Sequence, residues 1–242
     1  MVHINGVLYS CGGYTANGES KVCYKYDLAS NSSSWENFMV PTGVGDQHPA
    51  VAFPTYDFFW YLSSKILQVP VNGGNTTSFD IELGNGGCAV GNGSHSVFIG
   101  KHNSSVLMNS DPLSPNNWTK IANIKTSLFY GGCLWLGNTI YVTGGFSSDT
   151  FKLISKTQLI NTDTFEVTLG ADVPIQVASH AMGIIDGNPA VFGGHNGGSP
   201  LSTIYVYDSA TNTWSLSDRS LPQAAMYSGA VTFYLSNDFA NC

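Results

Sequence analysis

The sequence predicts an all-β fold built from five small antiparallel sheets set side by side in a closed circle. Three observations lead there. Apolar runs, most of them ending in glycine, recur along the chain, each followed by a β-branched or aromatic run and then a large ring. Clusters of Gly, Asn, Ser and Asp, the residues of tight turns, separate these runs. Of 242 residues, 43% are hydrophobic and only 10% charged, so the chain is too apolar for disorder and long enough to bury a sizeable core.

Each unit is expected to hold four strands, A to D. Residues 1–40 carry Val7-Leu8-Tyr9-Ser10-Cys11-Gly12-Gly13, then Cys23-Tyr24-Lys25-Tyr26-Asp27, then Trp35. Residues 45–83 carry Asp57-Phe58-Phe59-Trp60-Tyr61-Leu62, Ile66-Leu67-Gln68-Val69 and Phe79; residues 86–121 carry Val97-Phe98-Ile99-Gly100, Val106-Leu107-Met108 and Trp118. Residues 130–169 contain Ile140-Tyr141-Val142-Thr143-Gly144-Gly145, Leu159-Ile160-Asn161 and Phe165, with Phe in the Trp position. Residues 179–217 contain Ala190-Val191-Phe192-Gly193-Gly194, Ile204-Tyr205-Val206-Tyr207-Asp208 and Trp214, and Gly194 follows Gly145 by 49 residues. The large ring of strand D is a plate that one sheet cannot bury alone. Sheets stacked around an axis cover one another and leave short edges.

Strand A is expected to begin at His48-Pro49-Ala50, Gly87-Cys88, Gly132-Cys133 and His180-Ala181. Residues 2–9 read as one strand, so the first unit lacks its own strand A. Residues 226–235 read as a strand A with nothing after it, and are expected to complete the first sheet and close the circle.

The Gly-Gly ends, the Tyr-Asp pairs and the Trp seven to nine residues after its Tyr resemble the kelch-repeat β-propellers, of which the central domain of galactose oxidase is one. The resemblance is strongest at residues 1–40 and 179–222. It implies a single kelch-like propeller over residues 1–242, with five four-stranded blades closed by the C-terminal strand on the N-terminal blade. It also implies partners docking on the loops that join strands B to C and D to A. In this chain those loops are residues 14–20, 101–104, 146–155 and 195–202, with 39–47 and 218–228. Tyr14, Phe146, His195, Arg219 and Tyr227 are the candidate contact residues there, because aromatic and Arg side chains dominate binding hot spots. The alternative for Tyr14 and Phe146 is packing on the loops' own strands.

Charge excludes several functions. Nine basic residues against 16 acidic give −7, and Arg219 is the sole arginine, so nucleic acid is not an expected partner. No apolar run is long enough to span a membrane, and residues 1–9 read as a strand rather than a leader, so a leader has been removed, or the sequence starts inside a gene, or the protein is cytosolic. Related propellers oxidise galactose at a Cys–Tyr-linked copper site or epimerise sialic acid with arginine clamps. Neither constellation matches residues here, and one arginine does not make a clamp.

Cysteine and histidine leave other options. If the B–C hairpin of the first unit is centred on Asn17, Cys11 faces Cys23 and a disulfide is expected, the alternative being two buried thiols. Cys88 and Cys133 start equivalent strands of consecutive units, and whether they or Cys242 pair is open. His48 and His180 head equivalent strands, but without clustered ligands they are read as polar residues bonding backbone, not as a metal site. Asn31, Asn75, Asn92, Asn103 and Asn117 head N-glycosylation sequons, about as many as chance gives in a chain of this composition. The expectation is a monomeric, non-catalytic, protein-binding propeller without cofactor, secreted or extracellular. The alternatives are a carbohydrate-binding or carbohydrate-active propeller, with a glycan as ligand, and a fragment of a cytosolic kelch adaptor.

Overall fold

Alternating side chains on short strands decide the architecture, because each strand sends successive residues to opposite faces of its sheet. The structure, a computed structural model, describes residues 2–4, 6–11, 14–15, 18–19, 22–29, 34–38, 50–52, 57–61, 65–70, 75, 77–80, 87–100, 104–111, 114 and 117–226. Among the described residues there is no helix.

Five four-stranded antiparallel sheets follow one another along the chain. The first holds β1 (Val2–Ile4), β2 (Val7–Cys11), then, beyond the small hairpin of β3 (Tyr14–Thr15) and β4 (Gly18–Glu19), β5 (Cys23–Asp27) and β6 (Glu36–Phe38). The second holds β7 (Ala50–Ala52), β8 (Asp57–Tyr61), β9 (Lys65–Pro70) and β10 (Thr77–Asp80). The third is β11 (Cys88–Gly91), β12 (Ser96–Ile99), β13 (Ser105–Asn109) and β14 (Thr119–Asn123). Next come β15 (Leu128–Phe129), then the fourth sheet's β16 (Gly132–Leu136) and β17 (Thr139–Thr143). After β18 (Phe146–Ser147) that sheet ends with β19 (Thr157–Asn161) and β20 (Val167–Leu169). The fifth is β21 (Ala181–Ile185), β22 (Asn188–Phe192), β23 (Leu201–Asp208) and β24 (Thr213–Ala225). The inner strands lie side by side in the order β1, β7, β11, β16, β21, which is a β-propeller arrangement.

Two expectations are corrected. Residues 2–9 are not one strand but a hairpin, with Ile4 opposite Val7 and Gly6 at φ 80°. Asn5-Gly6 is the dipeptide that two-residue hairpin turns favour, because such turns need positive φ. Strand β1 therefore fills the inner place of the first sheet, where residues 226–235 were expected; residues 227–242 lie outside the described residues. The second correction concerns Phe165. Trp214 lies opposite Tyr207, and its counterpart in the fourth sheet is Val167, opposite Ile160. Phe165 instead matches Asn212 in the turn before it, both at positive φ. The turn is set by Asp208 in one sheet and Asn161 in the other, each side-chain oxygen accepting two backbone amides.

Burial is shared between sheets. Ile140 and Val142 of β17 pack with Val97, Ile99 and Val106 of the third sheet, while Tyr141 between them packs with Met182, Val191 and Tyr207 of the fifth. Polar fasteners reach the connecting segments. Buried Gln158 accepts from Thr126 N at 2.8 Å and donates to Thr126 O at 2.9 Å; Trp214 Nε1 donates to Ala171 O at 3.0 Å and to Thr157 Oγ1 at 3.1 Å. A disulfide joins Cys88 on β11 to Cys133 on β16, with Cα atoms 6.0 Å apart, stapling the inner strands of neighbouring sheets. Cys23 is fully buried and disulfide-bonded, and its register partner across the ladder is Cys11.

Ile140→Ala opens a cavity between the third and fourth sheets and is expected to lower the unfolding free energy by about 2–5 kcal/mol in urea titrations. The Cys88→Ser, Cys133→Ser pair frees a loop with a sequence separation of 45. Chain entropy sets that loss at about 4 kcal/mol, read as a lower melting temperature of the variant than of the wild type under non-reducing conditions.

Candidate functional site

Five rings gather where the loops of the fourth and fifth sheets meet. Strands β15 and β18 pair with Phe129 opposite Phe146, and the two rings stack at 5.3 Å with 16° between planes. Tyr130 and Phe151 approach Phe129 edge-on at 5.4 and 6.0 Å, and His195 lies 5.8 Å from Phe146. Phe151 is 70% exposed and Tyr130 38%, so the cluster shows apolar surface to solvent.

The loop that carries Phe151 is fixed from within. Phe146 bridges to Leu153, Ser147 N donates to Lys152 O at 2.8 Å, and Phe151 N donates to Ser147 O at 2.9 Å. Ser147 Oγ accepts from the amides of Asp149 and Thr150. Phe151 and Tyr130 adopt φ of 54° and 56°, a left-handed backbone that is uncommon outside glycine and costs energy. Two exposed rings are thus held in place by their backbone, a preorganised arrangement that suits binding.

Beneath the rings lies His180. The imidazole is enclosed by Gly132, Gly144 and Gly194: a Cβ on these would stand 2.6 Å from Nε2, 2.9 Å from Cε1 and 2.8 Å from Cβ of His180. Gly144 and Gly194 also carry positive φ, so the Gly-Gly repeat provides both the turn into each loop and the space for the ring. Thr143 Oγ1 lies 2.8 Å from Nε2 and donates to Met182 Sδ at 3.2 Å. Among the described residues His180 Nδ1 has no hydrogen-bond partner. Burial pushes the His180 pKa down to about 4, and the charge of His195 adds to the shift.

Of the residues expected to touch a partner, Phe146 and His195 come together here. Arg219 lies exposed on β24, with its amide bonded to Ser217 Oγ. Tyr14 pairs through its backbone with Glu19, and its side chain, like the whole of Tyr227, lies outside the described residues. So do His48, Asn31 and Asn103; Asn75, Asn92 and Asn117 are exposed. No three His, Cys, Asp or Glu side chains converge among the described residues. Sequence reasoning missed Phe129, Tyr130 and Phe151. The repeat itself could have found the first: shifting by the 49 residues between Gly145 and Gly194 maps the Phe129–Phe146 pair onto Ala178 and His195, which also form a bridge.

The Kelch motif family model matches residues 191–216, from β22 into β24. The chain is similar in fold to the solved structure of YjhT, with 13% identity and a TM-score of 0.76, over 93% of this chain and 84% of that one. No curated protein matches the chain in sequence. Repeat, sheets and both likenesses support a kelch-repeat β-propeller.

Phe151→Ala is expected to change stability by no more than about 0.5 kcal/mol, since its ring is mostly in solvent. Phe146→Ala, which removes the stacked and partly buried ring, is expected to cost about 1–3 kcal/mol. Chemical denaturation of both variants checks the contrast.

Proposed function

We propose that the chain is a non-catalytic protein-binding propeller that presents the Phe129, Tyr130, Phe146, Phe151 and His195 cluster to a partner in an oxidising, extracellular setting. The observation that carries this reading is the exposed Phe151 ring on an internally bonded loop, set edge-on against Phe129. Preorganised aromatic side chains lose little entropy on docking and supply most of the energy of protein interfaces. The staple between Cys88 and Cys133 supports the oxidising compartment. The reading treats the five sheets as five blades about one axis.

A photo-reactive phenylalanine analogue placed at position 151 tests this, with Leu169, an exposed residue on β20, as the control position. Position 151 is expected to give a discrete cross-linked protein that disappears when Phe146→Ala is added. Equal cross-linking from position 169 contradicts the reading. So does saturable binding to a glycan array that the same substitution abolishes, which would make the cluster a sugar shelf.

A further inference from the structure

The loops bearing Phe146 and His195 leave their sheets through Gly144-Gly145 and Gly193-Gly194, and two of the three glycines in contact with His180, Gly144 and Gly194, lie at those exits. Gly145 N donates to Val177 O at 2.7 Å, Ser179 N donates to Tyr130 O at 2.8 Å, and Ala178 and His195 exchange backbone bonds at 3.0 Å. His180 follows directly on this ladder, and its ring reaches from the fifth sheet to Thr143 at the end of β17 in the fourth.

The hydroxyl of Thr143 has one proton, and Met182 Sδ, which can only accept, lies 3.2 Å from Oγ1. With that proton given to the sulfur, Thr143 Oγ1 accepts from His180 Nε2, the neutral imidazole carries its proton on Nε2, and Nδ1 is buried without a hydrogen-bond partner among the described residues. A second proton must go on Nδ1. It would place a full charge, and a donor with no acceptor, in a cage lined by Gly132, Gly144, Val177, Gly194 and Met182. None of these is charged. The titratable group whose charge His180 feels is His195, which in its own protonated form repels it further.

We infer that the His180–Thr143 hydrogen bond is an acid-sensitive latch that seats the aromatic cluster, and that proton uptake at His180 releases the loops carrying Phe146 and His195. Its consequence, loss of the partner in acid, rests on the docking role proposed above; the latch itself does not. The sign follows from the depressed pKa. The unseated ring binds a proton from about pH 6.5 downward while the seated ring refuses it until about 4. The latch is thus fully stable above 6.5 and weakens as pH falls toward 4. Over that span the unseated population rises by up to about 300-fold.

Amide hydrogen exchange on the intact chain, corrected for the intrinsic effect of pH, reads this directly. Protection at Gly145, Ala178, Ser179 and His195 is expected to fall at least about tenfold from pH 6.5 to 4.5, while β12 and β13 of the third sheet hold. In His180→Gln, which cannot charge, the four amides are expected to stay level across the same range. Unchanged protection in the wild type, or an equal fall in the variant, overturns the latch. Should the variant not fold, the His180 ring resonance in the wild type decides. A ring that titrates near 4, below the range in which the four amides lose protection, supports the latch, and a ring that titrates near 6.5 refutes it, because an undepressed pKa couples nothing to pH. Neither outcome depends on whether a partner binds.

Discussion

A four-stranded sheet of five-residue strands has two faces and too little surface to bury either, so its stability depends on what lies against both. Strand β17 shows the constraint most clearly. Ile140 and Val142 turn to the third sheet and Tyr141 to the fifth, and all three are buried. The alternation that in a sandwich would separate core from solvent here separates one neighbour from the other. Burial of a fully enclosed aliphatic side chain contributes about 1.5–3 kcal/mol, and each interior sheet collects that contribution on both sides.

The polar chemistry follows from the same packing. Where connecting segments are trapped between sheets, their backbone groups need partners, and side chains from the next sheet supply them. Gln158 serves Thr126 with both ends of its amide, and Trp214 serves Ala171 while its ring covers Tyr207 at 5.0 Å. The large ring of the repeat is therefore both a plate and a donor. His180 applies the idea less completely, with one nitrogen bonded across the junction and the other left bare. The cluster of exposed rings sits above that incompletely satisfied junction. A mobile or ligand-responsive element is drawn from such lightly held regions.

Much of this was legible in the residues. The strand starts at Ala50, Cys88, Gly132 and Ala181 were visible because Gly-Gly ends, turn clusters and aromatic plates repeat in order. The β1–β2 hairpin was missed because apolar residues flank Asn5-Gly6 on both sides and the run read as continuous, although the turn dipeptide was present. Phe165 was matched to Trp214 by ring size, whereas the side-chain oxygens of Asn161 and Asp208 fix the register and place Val167 there. The Cys88–Cys133 staple depends on a separation of 6.0 Å between strands of different sheets, which local pattern does not encode. The same holds for the ring cluster. Phe129 and Phe151 are 22 positions apart in sequence, and only the pairing of β15 with β18 joins them.

If each sheet owes its durability to those beside it, no single sheet opens alone. Native-state hydrogen exchange followed through increasing urea measures this most directly, by comparing buried amides of β12, β17 and β22 in three successive sheets. The account predicts that Val97, Val142 and Val191 converge on one opening free energy and one urea dependence before the global transition. Separate values, with one sheet opening at low urea while its neighbours stay protected, would contradict it.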